Sequence, residues 1–133
     1  MNTTRPKTII ASAIVFTVLG LSACQSNTLK KDPEKGVQVR TQLAAEYIRT
    51  GDLDSAKRSL DQALKVDSRD AKANMMMGIL LQQEGSKPNM EKADAYFKRA
   101  ISSEPNNAQA RNNYGTYLYQ LQRYNDAIEQ FTR

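Results

Sequence analysis

Small and large apolar residues recur at one spacing along most of this chain, and that recurrence leaves few folds open to it. When Ala56, Ala93 and Ala127 are aligned, a large apolar residue follows each four positions later: Leu60, Phe97 and Phe131. Seven positions after the first two stand Ala63 and Ala100, each followed by an aliphatic, Leu64 or Ile101. Upstream lie the large-small pairs Leu43-Ala44, Met77-Gly78 and Tyr114-Gly115, trailed three residues later by Tyr47, Leu81 and Leu118. Spacings of three, four and seven place residues on one face of an α-helix. Each unit therefore predicts two antiparallel helices, with small residues where the backbones approach and large ones filling the space between.

The period gives units at 37–70, 71–107 and 108–133, the last ending within its second helix. The first spans 34 residues and the second 37, with three extra around Gly85-Ser86-Lys87-Pro88-Asn89. Asp52, Asp70 and Asn107 stand where N-caps for helices beginning at Leu53, Ala71 and Ala108 are required. Gly51 suits a helix end. Because the residue before a proline disfavours helix, the Lys87-Pro88 step predicts a widened loop inside the second unit. This pattern resembles the tetratricopeptide repeat, including Pro105 at the end of unit two, where unit one has Ser68. The tryptophan often found early in that repeat is replaced by Arg40, Asn74 and Arg111. The expected fold is all-α, a tetratricopeptide-repeat solenoid of antiparallel helix pairs over residues 37–133.

The repeat region follows an address. Arg5 and Lys7 precede an apolar run of thirteen residues, Ile9 to Leu21, broken only by Ser12, Thr17 and Gly20. A membrane-spanning helix needs roughly 20 residues, whereas this length suits a signal peptide. The run ends at Leu21-Ser22-Ala23-Cys24, which contains the chain's single cysteine. The segment resembles the lipobox of bacterial lipoproteins. It implies removal of residues 1–23 and acylation of Cys24, a fate that explains an otherwise reactive thiol at the new N-terminus. Gln25 resembles the outer-membrane-directed class, in which this position is not acidic. The chain is expected to be lipid-anchored in the outer membrane and to face the periplasm. Residues 24–36, polar and with one Pro and one Gly, then form a flexible tether.

Loss of residues 1–23 would remove two basic and no acidic side chains, lowering the formal charge from +5 to +3. That balance does not point to nucleic acid. With one cysteine no internal disulfide forms, and with no histidine no imidazole base or ligand exists. No phosphate loop, dinucleotide fingerprint or paired-carboxylate site stands out. Acids such as Asp61, Glu91, Asp94, Glu104 and Glu129 fall mostly on solvated helix faces. The expectation is a binding protein rather than an enzyme, with no cofactor, metal or small-molecule substrate.

In tetratricopeptide arrays the first helix of each unit lines a concave groove. The resemblance implies a protein-binding groove of Gln38, Thr41, Ala45, Ile48 and Arg49 in unit one, and of Lys72, Met75, Ile79, Gln82 and Gln83 in unit two. Unit three adds Gln109, Asn112, Thr116, Tyr119 and Gln120. Members that clamp a C-terminal carboxylate use Lys and Asn where this chain has Thr41 and Ala45, Met75 and Ile79, Asn112 and Thr116. A partner held by side-chain contacts along an extended or helical segment fits better. Met77 suits the core, and Met75 and Met76 suit core or groove equally.

The segment Ala110-Arg111-Asn112-Asn113-Tyr114-Gly115, then Leu118, Tyr119, Arg123-Tyr124 and Ala127, resembles the PilW/PilF-type pilus lipoproteins. The resemblance implies help in assembling or localising the secretin ring, with a secretin subunit or another pilus assembly component as partner. A scaffold or accessory factor for another envelope machine, in cell-wall synthesis or outer-membrane assembly, is the alternative. Such proteins usually carry more repeats. Tyr114, Leu118, Tyr124, Ile128 and Phe131 are therefore expected to be partly uncovered, in a chain that is the front of a longer protein or pairs through that end.

Overall fold

A computed structural model describes residues 32–133. The expected signal peptide, the lipobox Leu21-Ser22-Ala23, Cys24 and the tether as far as residue 31 lie outside the described residues. The described residues form six helices. They are α1 (Pro33–Thr50), α2 (Leu53–Val66), α3 (Ala71–Glu84), α4 (Lys87–Ser103), α5 (Ala108–Gln120) and α6 (Tyr124–Thr132). Within each unit the two helices pack as a pair: α1 with α2, α3 with α4, α5 with α6. The first helices also touch in series, α1 against α3 and α3 against α5, while α2 meets α3 and α4 meets α5. An inner layer of α1, α3 and α5 is thus backed by an outer layer of α2, α4 and α6.

Local chemistry sets the helix ends. The carboxylates of Asp52 and Asp70 and the amide oxygen of Asn107 accept backbone N–H groups of Ser55, Ala73 and Ala110, at 3.1, 2.6 and 2.9 Å. Each satisfies a donor that the first turn leaves free. α1 closes on Gly51 at φ +82° and α3 on Gly85 at φ +70°, left-handed geometry that costs a glycine little. In unit three the equivalent position is Gln122, which adopts φ +60° with a side chain attached.

Two boundaries differ from those expected. α1 starts at Pro33, four residues before Val37, so residues 33–36 are helix rather than tether. Asp32 caps it by accepting Lys35 N–H at 3.1 Å, and Pro33 lacks only an N–H that a first turn leaves unpaired. For the same reason Lys87-Pro88 does not widen a loop. Ser86 caps α4, the proline lies in its first turn, and only Gly85 and Ser86 separate α3 from α4. The three extra residues of unit two lengthen its second helix, 17 residues against 14 in α2.

The repeated small residues are the core. Ala44, Ala56, Leu60, Ala63, Ala93, Phe97 and Ala100 are fully buried, as is Met77. A Cβ added to Gly78 would stand 3.0 Å from three ring atoms of Phe97. One added to Gly115 would come within 2.5 Å of Phe131. In units two and three the glycine of the pair is therefore the seat for the aromatic ring of its own unit's second helix.

At the far end, Tyr124, Ile128 and Phe131 are exposed as expected, joined by Tyr119 and Leu121. Tyr114 and Leu118 are not; both are buried. The Tyr114 ring stacks on Phe97 at 5.8 Å and on Tyr117 at 6.1 Å, an aromatic cluster between α4 and α5 that α6 is not needed to complete.

A candidate protein-binding groove

Because α1, α3 and α5 lie side by side, the residues they turn away from the outer layer form a common surface. Between α3 and α5 this surface dips into a hollow of about 380 Å³ lined by Ile79, Gln82, Gln83, Asn113, Thr116 and Gln120. Gln82 Nε2 donates to Gln120 Oε1 at 2.6 Å, bridging the two helices across 38 residues of sequence. Asn113 Nδ2 donates to the Met75 sulfur at 3.2 Å on the floor of the same contact. Thr116 Oγ1 returns its proton to Asn112 O at 2.9 Å.

The expected groove residues divide into three groups. Ile79, Gln82, Gln83, Thr116 and Gln120 come together in this hollow. Gln38, Lys72 and Gln109 are exposed, Ala45 and Ile48 are half-buried on α1, and the exposed Arg49 is held in an ion pair with Glu46. Tyr119 is also exposed, but its ring meets Tyr124 edge-on at 5.2 Å, at the α5–α6 turn.

Three expected lining residues are corrected. Thr41 is 1% exposed and its hydroxyl donates to Val37 O at 2.9 Å, so it closes on its own helix. Met75 is 1% exposed and belongs to the core beneath the groove. Asn112 instead lines a separate hollow with Arg111, Gln130, Phe131 and Arg133 beside α6. The position it was expected to hold is taken by Asn113, one residue and about 100° further round the helix. The series Asn113, Thr116, Gln120, spaced three and four apart, was the available signal for this face.

A second polar cluster fixes the outer layer. Asp94 on α4 accepts the Tyr114 hydroxyl at 2.9 Å and Arg123 at 3.2 Å on one oxygen, and Lys98 at 2.6 Å on the other. Burial pushes its carboxyl up, but bonds from Lys98 and Tyr114, with the charges of Lys98 and Arg123, hold it below the usual range. Burial, followed by the Asp94 bond, drives the Tyr114 hydroxyl far upward and keeps it a donor. The Tyr117 hydroxyl donates to Met90 O at 2.6 Å. These bonds tie α4, α5 and the α5–α6 turn together.

Comparison with known proteins agrees with this geometry. Residues 41–89 and 96–129 each match a tetratricopeptide repeat model. The chain is 30% identical over 128 residues to the type IV pilus assembly protein PilF of Pseudomonas aeruginosa, covering 92% of this chain and 50% of that protein. It is 26% identical over 121 residues to an uncharacterized protein of Haemophilus influenzae, covering 90% and 65% of the two. The chain thus spans about half to two thirds of the length of these curated relatives. Among solved structures, Pseudomonas aeruginosa PilF superposes with a TM-score of 0.69 at 30% identity, over 74% of this chain and 43% of that one. MamA superposes with a TM-score of 0.62 at 24% identity, over 77% and 57%, a likeness of fold. The chain belongs to the tetratricopeptide repeat family.

Proposed function

We propose that this chain is an outer-membrane lipoprotein that binds envelope proteins from the periplasmic side and assists assembly or localisation of the secretin in type IV pilus biogenesis. The observation that carries the reading is the 30% identity to PilF across 92% of the chain. It is supported by the lipobox-like Leu21-Ser22-Ala23-Cys24 ahead of a repeat domain with a concave face. In this reading diacylglycerol on Cys24 anchors the chain and binding, not catalysis, is its work. From Cys24 to the cap at Asp32 a fully extended chain reaches at most about 28 Å. The groove would therefore work close to the membrane in which its partner inserts.

Deletion of the gene tests the pilus role: heat-resistant secretin multimers should be lost from the outer membrane, and unchanged multimers would refute it. Cys24→Ser tests the anchor separately. That variant should move from the membrane fraction to the soluble periplasmic fraction, and continued membrane retention would overturn the lipid assignment.

A further inference from the structure

The groove between α3 and α5 differs in chemistry from three other hollows among the described residues. None of its six lining residues carries a charge: four are carboxamides, one a hydroxyl and one an aliphatic. The hollow between α4 and α6 has Lys98, Arg123, Asp126 and Glu129 in its wall, that beside Asn112 has Arg111 and Arg133, and that under Tyr117 has Glu91, Asp94 and Arg123.

The groove also holds unused hydrogen-bonding capacity. Gln82 and Gln120 spend one donor and one acceptor on each other. Among the described residues, Gln82 Oε1 and Gln120 Nε2 have no further protein partner, nor does Asn113 Oδ1 once its amide nitrogen has gone to Met75, nor either end of Gln83. Each side-chain amide can offer a donor and an acceptor side by side. One residue of an extended peptide presents its N–H and C=O to the same side in the same manner. A helical ligand has already used those groups internally.

We infer that this groove binds an extended, uncharged peptide segment through its main chain, with the carboxamides of Gln82, Gln83, Asn113 and Gln120 pairing its amides and a small aliphatic side chain resting on Ile79. A charged residue or a free terminal carboxylate entering the groove would lose water without meeting a counter-ion, which disfavours it. The inference rests on the proposal that this surface is where the chain takes its protein partner, and it names the chemistry of the segment taken.

The purified full chain is panned against a library of random octapeptides blocked at both ends. Retained peptides should carry an uncharged centre of Ser, Thr, Asn, Gln or Gly with one aliphatic. N-methylation of a central amide should weaken a selected peptide about tenfold, as should Gln120→Ala in the protein. Gln82→Glu, nearly isosteric and at the surface, should weaken that peptide similarly and favour versions with a central Lys.

Retained peptides that share a central charge or ignore N-methylation overturn the inference if their binding depends on Gln82 and Gln120; the groove then remains the binding surface. Peptides indifferent to both substitutions overturn the groove reading itself. Retention of no peptide overturns the inference, and the secretin multimer assay then judges the pilus role independently.

Discussion

Gly78 and Gly115 stand at equivalent places in successive repeats, and the structure predicts different responses to the same substitution. Alanine in a helix interior is favoured over glycine by about 1 kcal/mol, so either change gains that much in propensity. At Gly78 the new methyl would stand 3.0 Å from three ring atoms of Phe97, tighter than van der Waals contact. Phe97 is 0% exposed and packed against Tyr114 and Tyr117, with centroids at 5.8 and 5.3 Å, so its ring has nowhere to retreat. Overpacking of this kind costs about 1–3 kcal/mol, leaving Gly78→Ala a net loss of about 1 kcal/mol. In a domain of this size that lowers the melting temperature by about 4–8 °C.

At Gly115 the nominal clash is worse, 2.5 Å from Phe131. Yet Phe131 is 49% exposed near the end of α6, and its ring can swing into water. The lost contact and the gained propensity should then nearly cancel, leaving Gly115→Ala within about 0.5 kcal/mol of the parent. Urea and thermal denaturation of both variants, with Phe97→Leu combined with Gly78→Ala as a double-mutant cycle, measure this. Favourable coupling is expected between the methyl introduced by Gly78→Ala and the smaller side chain introduced by Phe97→Leu. If Gly115→Ala proves the more damaging, or if Gly78→Ala is neutral, ring mobility is not what decides tolerance at these seats.

Gln122→Gly should raise stability by about 0.5–1 kcal/mol, because glycine adopts φ +60° without the side-chain strain glutamine bears; an unchanged urea midpoint would count against this. Asp94→Ala should cost about 1 kcal/mol at pH 7 after solvent screening of its ion pairs. Asp94's carboxyl is held below its unfolded value of 3.8, so its contribution is complete above about pH 4 and disappears as pH falls through the lower folded value. The stability gap between parent and variant should therefore narrow in acid, and a gap constant down to pH 2 would contradict the assignment. Ala56→Leu, at a fully buried contact of the first helix pair, should cost about 1–3 kcal/mol, and a thermal melt showing no loss would dispute the repeat register.

The repeat, its all-helical architecture and most helix ends were legible from residues alone, because each rests on short-range rules. Asp52, Asp70 and Asn107 cap as their position before an apolar run requires, and Gly51 takes the left-handed turn. The start of α1 at Pro33 and the first-turn place of Pro88 were equally local, but a proline near a helix start fits either a loop or a first turn. Spacing alone does not separate the two; the caps Asp32 and Ser86 do.

Tertiary structure decided which face became groove. One step along a helix turns a side chain by about 100°, so choosing Asn113 over Asn112 depends on how α5 is rotated against α3. That rotation follows from the buried fit of Met75, Tyr114 and Tyr117, which no single-helix pattern encodes. Packing between helices likewise buried Thr41 and Met75, which the repeat resemblance had placed in the groove, buried Leu118, and covered Tyr114 from the α4 side. Sequence by itself determined that helix pairs would stack on their small residues, because backbone approach needs Ala and Gly at fixed intervals. Only the stacked helices determined that four carboxamides from α3 and α5 would meet, because their proximity is a property of the interface between units.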